Sequence, residues 1–341
     1  MAAMLKIIAE RAGLSQAAVS QILNRKANDF SSEETRRRVF AIAGELGYKQ
    51  KFGHKLLRGD KTQTVGILLP MHRIALEEHM QALIIMLLDK LERKGYGSYF
   101  VTLAESEEKN LQIVRDLVGR GVDCFIVLGE PVGERKIEQE IVKNGRTVIG
   151  YLNSFRRTLT QSITQSCCEI LRFFLDEGRT NFRLLLGSPL LPGNERFLSL
   201  KQVFPELTDA EIRSRYCVEL GRLGEHDDID LYARIGYEKT REMLEQDPSV
   251  SALFYLSDYF AMGGIRYLLE TGRRIGSDVL VAGFNNIHAI RNSFFPISSV
   301  EHALPEITDA LVEEMTGTGE VNRTIRSRTI IRKVGGMRYE V

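Results

Sequence analysis

Arg36, Arg37 and Arg38 put three guanidinium groups in a row. Such a run either neutralises phosphates or lies solvated on a helix face. Residues 1–60 hold 11 Lys/Arg against 6 Asp/Glu, a balance of +5, while the remainder holds 35 against 39, a balance of −4. The basic excess therefore sits at the N-terminus, where a phosphate-binding domain would put it. Catalytic chemistry has no comparable signature. The chain has no G-x-S-x-G elbow, no HExxH pair and no ligand spacing among its six histidines, so an enzyme is not indicated. Neither GxGxxG nor GxxxxGK[ST] occurs, so no nucleotide cofactor is expected, and no metal. Cys124, Cys167, Cys168 and Cys217 lack CxxC spacing and read as reduced thiols of a cytoplasmic protein.

The elements around the arginines are helical. Leu5, Ile8, Ala9 and Ala12 recur at spacings of three and four, which makes one apolar stripe on a short helix. Gly13 supplies the permissive backbone of a helix end, and Ser15 is a good N-cap for a second helix carrying Ala18, Val19, Ile22 and Leu23. A third helix starts at Ser31 or Ser32, where Ser31 and Glu34 have capping-box spacing. Its apolar positions are Val39, Ile42, Ala43 and Leu46, and Gly47 closes it. Two short helices joined by a glycine-containing turn make a helix-turn-helix, whose second helix meets base edges in the major groove. On periodicity alone, a three-helix bundle without a partner remains an alternative.

The string LKIIAERAGLSQAAVSQILN, followed by TRRRVFAIAGELGY, resembles the N-terminal domain of the LacI/GalR family of bacterial repressors. The family pattern A-x-x-A-G-[VL]-S-x-x-[TA]-V-S is matched by Ala9, Ala12, Gly13, Leu14, Ser15, Ala18, Val19 and Ser20. By position, the resemblance implies base readers at Gln16, Ala17 and Gln21. The family commonly has Arg at the place of Gln21, so an amide suited to adenine replaces a guanidinium suited to guanine. Ser15, Ser20, Asn24 and Ser31 are the implied phosphate contacts. Further on, KQKFGHKLLRGDKTQT resembles the family's hinge helix, with Leu57 as the apolar wedge in the minor groove. Gln50 and Lys51 stand where the family has Pro-Asn, Gly53 weakens a short helix, and His54 replaces a small residue. A basic linker is the alternative reading of this segment.

At 341 residues the chain exceeds one ordinary core. Apolar runs at 65–69, 99–103, 124–128, 147–151, 182–186, 252–256 and 279–284 alternate with helical patterns, which implies parallel sheets covered on both faces. Ligands in such sheets sit at the carboxyl ends of the strands. The N-terminus lacks the apolar stretch of a signal peptide, and the run at Leu83 to Leu88 is far shorter than the ~20 residues a membrane span needs. The resemblance continues through SALFYLSDYFAMGGIRYLLETGRRIGSDVLVAGFNN and implies two α/β subdomains around an effector cleft, of periplasmic-binding-protein-like type. The expected organisation is an all-α helix-turn-helix domain over 1–48, a hinge over 49–61 and an α/β core over 62–341. Within that core the N-subdomain is expected at about 62–161 and 301–326, and the C-subdomain at about 162–300 and 327–341.

Carried over residue by residue, the effector contacts are Arg196, Ser257 where the family usually has Asn, and Asn285 where it usually has Asp. His72 and Arg73 stand where the family often has Asn-Pro. Losing an acidic acceptor and gaining Arg73 tilts the expected ligand from a neutral sugar toward an anionic metabolite. Asp258, which is kept, is expected to cap the helix that follows. Met80, Leu83, Ile84, Leu87, Leu88 and Leu91 form a helical stripe, with Ile85 and Met86 on the other side. A helix apolar nearly all round is buried on two sides. The family dimerises through this element, which implies an interface at Met80, Ile84 and Leu87 and a twofold homodimer on a pseudo-palindromic DNA operator. The expected function is a transcription regulator, a repressor in the family sense, with a soluble metabolite-binding protein lacking operator specificity as the alternative.

Overall fold

The computed structural model describes residues 2–23, 31–48, 60–70, 77–187, 193–221, 229–334 and 336–337. It divides into two compact units, Met1–Thr62 and Gln63–Val341.

The first unit is three helices, α1 (Ala2–Ala12), α2 (Gln16–Leu23) and α3 (Glu33–Glu45). Ile8, Ala9 and Ala12 of α1 close on Val19, Ile22 and Leu23 of α2 and on Val39 and Ala43 of α3. The α1–α2 turn depends on Gly13 at φ 65°, a conformation that costs a residue with a Cβ about 1 kcal/mol or more. Ser15 then caps α2 by accepting from the Ala18 N–H at 3.1 Å. Of the two serines offered for the third helix, Ser32 is the cap, accepting from Thr35 N at 3.2 Å; the Ser31–Glu34 spacing does not form the box. Arg38 is not a free phosphate ligand either. Its guanidinium donates to the Ala12 carbonyl at 3.0 Å and so closes the end of α1.

The second unit is two α/β lobes. One sheet has the order β11-β5-β4-β3-β1-β2 and is parallel throughout. Its strands are β1 (Thr64–Pro70), β2 (Gly97–Leu103), β3 (Cys124–Leu128), β4 (Thr147–Tyr151), β5 (Arg157–Ser162) and β11 (Val321–Arg326). Helices α4 (Glu78–Arg93), α5 (Glu107–Gly119), α6 (Glu134–Lys143) and α13 (Leu304–Glu314) cover it. The other sheet has the order β12-β10-β9-β8-β6-β7, parallel except where β12 runs against β10. Its strands are β6 (Phe182–Leu186), β7 (Cys217–Glu219), β8 (Ala252–Phe254), β9 (Leu280–Phe284), β10 (Ser298–Glu301) and β12 (Arg328–Ile330). Here the helices are α7 (Thr164–Asp176), α8 (Glu195–Val203), α9 (Asp209–Tyr216), α10 (Ile229–Gln246), α11 (Asp258–Glu270) and α12 (His288–Arg291). A short ribbon of β13 (Arg332–Lys333) and β14 (Gly336–Met337) follows.

Each lobe thus repeats one doubly wound order, with a sixth strand delivered to its far edge by the late part of the chain. The chain crosses between sheets three times, at 162–164, 301–304 and 326–328. Central strands are buried on both faces, β1 along its whole length, which is why they read as continuous apolar runs. Helices α10 and α11 pack closely because Gly236 and Gly263 carry no side chain at the crossing: a methyl at either would strike backbone atoms of the facing helix. Among the described residues, no helix is long and apolar enough to cross a membrane.

The dimer-facing assignment needs correction. Met80 and Leu87 are fully committed to their own lobe, packed with Val65, Ile67, Ile126 and Leu311, and Ile84 rests partly buried against the same cluster. The side of α4 left to solvent carries Ile85, which is 67% exposed.

Candidate functional site

On α2 the buried side is Val19, Ile22 and Leu23. Gln16 and Ala17 are exposed on the first turn, and Ser20 and Gln21 are half-buried one turn later. A helix repeats every 3.6 residues, so Gln16 stacks below Ser20 and Ala17 below Gln21. These four residues make one surface-facing strip, with two amides that can each donate and accept. The Ser15 hydroxyl is engaged in its cap, and Ser31 is half-buried. Asn24, Gln50, Lys51, Gly53, His54 and the wedge candidate Leu57 lie outside the described residues, as do His72 and Arg73.

The second site is a cavity of about 390 Å³ between the lobes, at the carboxyl ends of their strands. Three of the five effector candidates line it: Arg196, Ser257 and Asn285. Arg196 is the second residue of α8, after the Asn194 cap and Glu195. Its guanidinium lies 4.5 Å from the centre of the Phe284 ring and donates to the Leu256 carbonyl at 3.2 Å, while Nε has no partner. Burial lowers its pKa, but an arginine remains cationic. Ser257 occupies the N-cap position of α11 without making a cap bond, and its buried hydroxyl has no partner. Asn285 is held at φ 96°, and both ends of its amide are engaged: Nδ2 donates to Glu77 Oε2 at 2.8 Å, and Oδ1 lies 3.0 Å from His302 Nε2.

His302 bridges the lobes. Its Nδ1 lies 2.5 Å from Gln161 Oε1 and its rear face stacks on His79, centroids 4.2 Å apart. Burial pushes His79 down to about 4, and burial, then His79 and Arg196, push His302 well below its ordinary value, so both rings are neutral. A neutral imidazole has one N–H to give two amide oxygens. Turning the Gln161 amide, whose Nε2 has no partner as placed, satisfies both contacts. His79 Nδ1 lies 3.4 Å from Glu77 Oε2, but off-axis and without a hydrogen bond, so burial outweighs the nearby carboxylate.

Tyr232, Phe260 and Phe284 supply the aromatic walls, with Tyr232 stacked on Phe260 at 4.7 Å. Glu195 also borders the cavity, but its carboxylate is taken up by the amides of Ile163 and Thr164 and the hydroxyls of Ser162 and Thr164 at a lobe crossing. Glu77, His79, Gln161 and His302 were missed in the sequence. Gln161 and His302 sit at the ends of β5 and β10, where strand-end reasoning could have found them.

Asp258 does not cap its helix. It is buried and turns inward, accepting from the Ile287 N–H at 2.9 Å and from the Ser299 hydroxyl at 3.0 Å, and burial raises its pKa to about 7. It thereby fixes the loop that carries Asn285. No disulfide joins the four cysteines, and burial pushes Cys167 up to about 12, which leaves it a poor nucleophile. No cluster of potential metal ligands occurs among the described residues.

The family description "Bacterial regulatory proteins, lacI family" matches residues 4–51, and "Periplasmic binding protein-like domain" matches 171–333. Catabolite control protein A of Priestia megaterium is 24% identical over 286 residues, covering 82% of this chain and 81% of that protein. The HTH-type transcriptional repressor PurR of Edwardsiella ictaluri (strain 93-146) is 25% identical over 338 residues, covering 95% and 93%. Among solved structures, the lac repressor dimer bound to operator and the anti-inducer ONPF superposes with a TM-score of 0.69 at 18% identity, covering 96% of this chain and 97% of that one. The transcriptional regulator CelR in complex with cellobiose gives a TM-score of 0.61 at 19% identity, with 97% and 99% covered.

Proposed function

Because the chain belongs to the lacI family of bacterial regulatory proteins, we propose that it is a sequence-specific transcription regulator whose grip on DNA is set by a small ligand in the interlobe cavity. The observation that carries the reading is the pairing of a surface-facing, two-amide strip on α2 with a two-lobed cavity lined by Arg196, Ser257 and Asn285. Gln16, Ala17 and Gln21 read base edges, and Ser20, with Asn24 and Ser31, contacts phosphates. A pseudo-palindromic operator requires two such heads, so the working form is a homodimer, acting as a repressor in the cytoplasm.

The cavity suits a neutral polyhydroxylated ligand. Arg196 is its one cation among the described lining residues, Glu77 is a carboxylate facing it, and both histidines are neutral. A ligand with hydroxyl donors and acceptors can serve Glu77, Arg196 and Ser257 together, whereas an anion would meet Glu77. The tilt toward an anionic ligand rested on Asn285 in place of an acidic acceptor and on His72 and Arg73 joining Arg196 in one cleft; of these, His72 and Arg73 lie outside the described residues. The relatives are consistent with this chemistry: CelR was solved with cellobiose.

Selection of bound DNA from random duplexes, repeated with neutral and with phosphorylated sugars, tests the whole reading. A single enriched palindrome, bound with steep salt dependence and modulated by a neutral sugar, is expected. Binding without base preference would return the chain to the class of metabolite-binding proteins.

A further inference from the structure

Asn285, an expected ligand-binding residue, already has an occupant. Glu77 precedes α4 in the first lobe, yet its carboxylate accepts from the Asn285 amide of the second lobe at 2.8 Å. Its neighbour does the same work on another group: both Glu78 oxygens lie 3.0 Å from the His288 N–H, and the Glu78 N–H donates to the Tyr259 hydroxyl at 3.2 Å. Resting on the reading of the cavity as an effector site, we infer that Glu77 and Glu78 form a built-in latch that holds the lobes closed without ligand, and that a ligand taking the Asn285 N–H that Glu77 holds must displace Glu77.

Both halves of the latch are rigid before they meet. On one side, α4 is anchored by Met80, Leu83, Leu87 and Leu91 in the core of its lobe, so the carboxylates at its start cannot wander far. On the other, the Asn285 N–H donates to the Val300 carbonyl at 2.8 Å, Asn286 N to the Ser299 hydroxyl at 3.0 Å, and Ile287 N to Asp258. Arg332 adds a bond to Asn286 Oδ1 at 2.8 Å. Groups held in place this way lose little entropy on pairing, so a few hydrogen bonds suffice to bias the lobe angle. The same arrangement makes Glu77 an internal competitor. A ligand that leaves Asn285 alone closes around the latch, and one that takes the Asn285 amide breaks it, so the contact sorts ligands by what they do to the lobe angle.

Residue-resolved hydrogen exchange on the full chain, without ligand, tests the latch. The His288 amide is held from the opposite lobe, whereas the adjacent Ile287 amide is held from within its own lobe by Asp258, which makes it an internal reference. Glu78→Ala is expected to speed exchange at His288 by about tenfold or more while leaving Ile287 within about twofold, and Glu78→Gln, which keeps a carbonyl acceptor, is expected to fall between. Tyr259→Phe, which spares both carboxylates, is expected to speed exchange at the Glu78 amide and serves if Glu78→Ala fails to fold. Unchanged exchange at His288 in Glu78→Ala, or at the Glu78 amide in Tyr259→Phe, overturns the latch. No ligand enters this measurement, so its failure leaves the effector reading standing, and a sugar screen that finds no ligand leaves the latch standing.

Discussion

His79 and His302 lie face to face, their ring centroids 4.2 Å apart and their planes 11° from parallel, across the floor of the interlobe cavity. Two stacked imidazoles cannot both be charged at that distance, and burial holds His79 at about 4. Its folded pKa lies below the unfolded value of 6.5, so the contribution is fully present above 6.5 and is lost as pH falls toward 4, where the unfolded chain binds a proton that the fold refuses. The loss amounts to roughly 3 kcal/mol for His79 at most. Urea unfolding of wild type and His79→Phe should therefore diverge between neutral pH and about 4, with the variant losing less. Parallel curves would mean that His79 is protonated in the folded protein.

Arg196 presents a flat guanidinium pinned between Phe284 and the Leu256 carbonyl, with a buried Nε that lacks a partner. Arg196→Lys keeps the charge and loses the planar fork. Hydrogen bonds to a charged group are worth about 1.5 to 3 kcal/mol, so the ligand concentration for half-maximal response should rise about tenfold to a hundredfold. Operator affinity without ligand should stay within about twofold. Fluorescence anisotropy of labelled operator measures both, and a variant with unchanged ligand response would remove Arg196 from the site.

Some of this was legible in the sequence. The Gly13 turn and the Ser15 cap could be placed because both rest on local rules: a backbone angle only glycine adopts cheaply, and a hydroxyl three residues before an amide. The continuous apolar runs announced buried parallel strands, and Arg196, Ser257 and Asn285 were reachable only through the resemblance to the LacI/GalR family, which carries its ligand contacts at recurring positions. What failed was non-local. Glu77 meets Asn285 across 208 positions in the chain, and His302 joins Gln161 across 141. No period or motif signals a carboxylate that crosses between lobes. The helix α4 misled for a related reason: its pattern said apolar on two sides, but could not say which side faced its own sheet.

Base reading by α2 predicts separable effects. Gln16→Ala and Gln21→Ala each remove one amide from a strip that the core residues Val19 and Ile22 hold in place, so folding should be untouched. Each should cost about 1 to 3 kcal/mol at its own base position and relax selectivity there alone. Sequencing of DNA selected by the two variants makes the comparison. Equal loss on all sequences would instead mark these side chains as phosphate contacts.

Ile85 is the large apolar residue that α4 turns to solvent, and Phe100 is 43% exposed on β2, the edge strand of the same lobe's sheet. Exposed apolar side chains on a rigid helix and an open strand edge suit a partner subunit. Ile85→Glu should shift the molecular mass in light scattering from dimer to monomer at micromolar concentration and weaken operator binding, with no loss of secondary structure. Met80→Ala, by contrast, opens a cavity in the lobe and should cost about 2 to 5 kcal/mol of stability.

Asp258 titrates in the opposite sense from His79. Burial raises its pKa from 3.8 to about 7, against the pull of the Ile287 amide, the Ser299 hydroxyl and Arg332. Its contribution is therefore fully present below 3.8 and is lost as pH rises through about 7, because the unfolded chain ionises first. Asp258→Asn keeps an oxygen for Ile287 and Ser299 and removes the buried charge. The variant should be more stable than wild type at pH 8, by at most roughly 4 kcal/mol, and the advantage should vanish near pH 4. Calorimetry across that range reads the difference directly. An Asn variant that is less stable at both ends would show that the ionised carboxylate, paired with Arg332, is the form the loop around Asn285 requires.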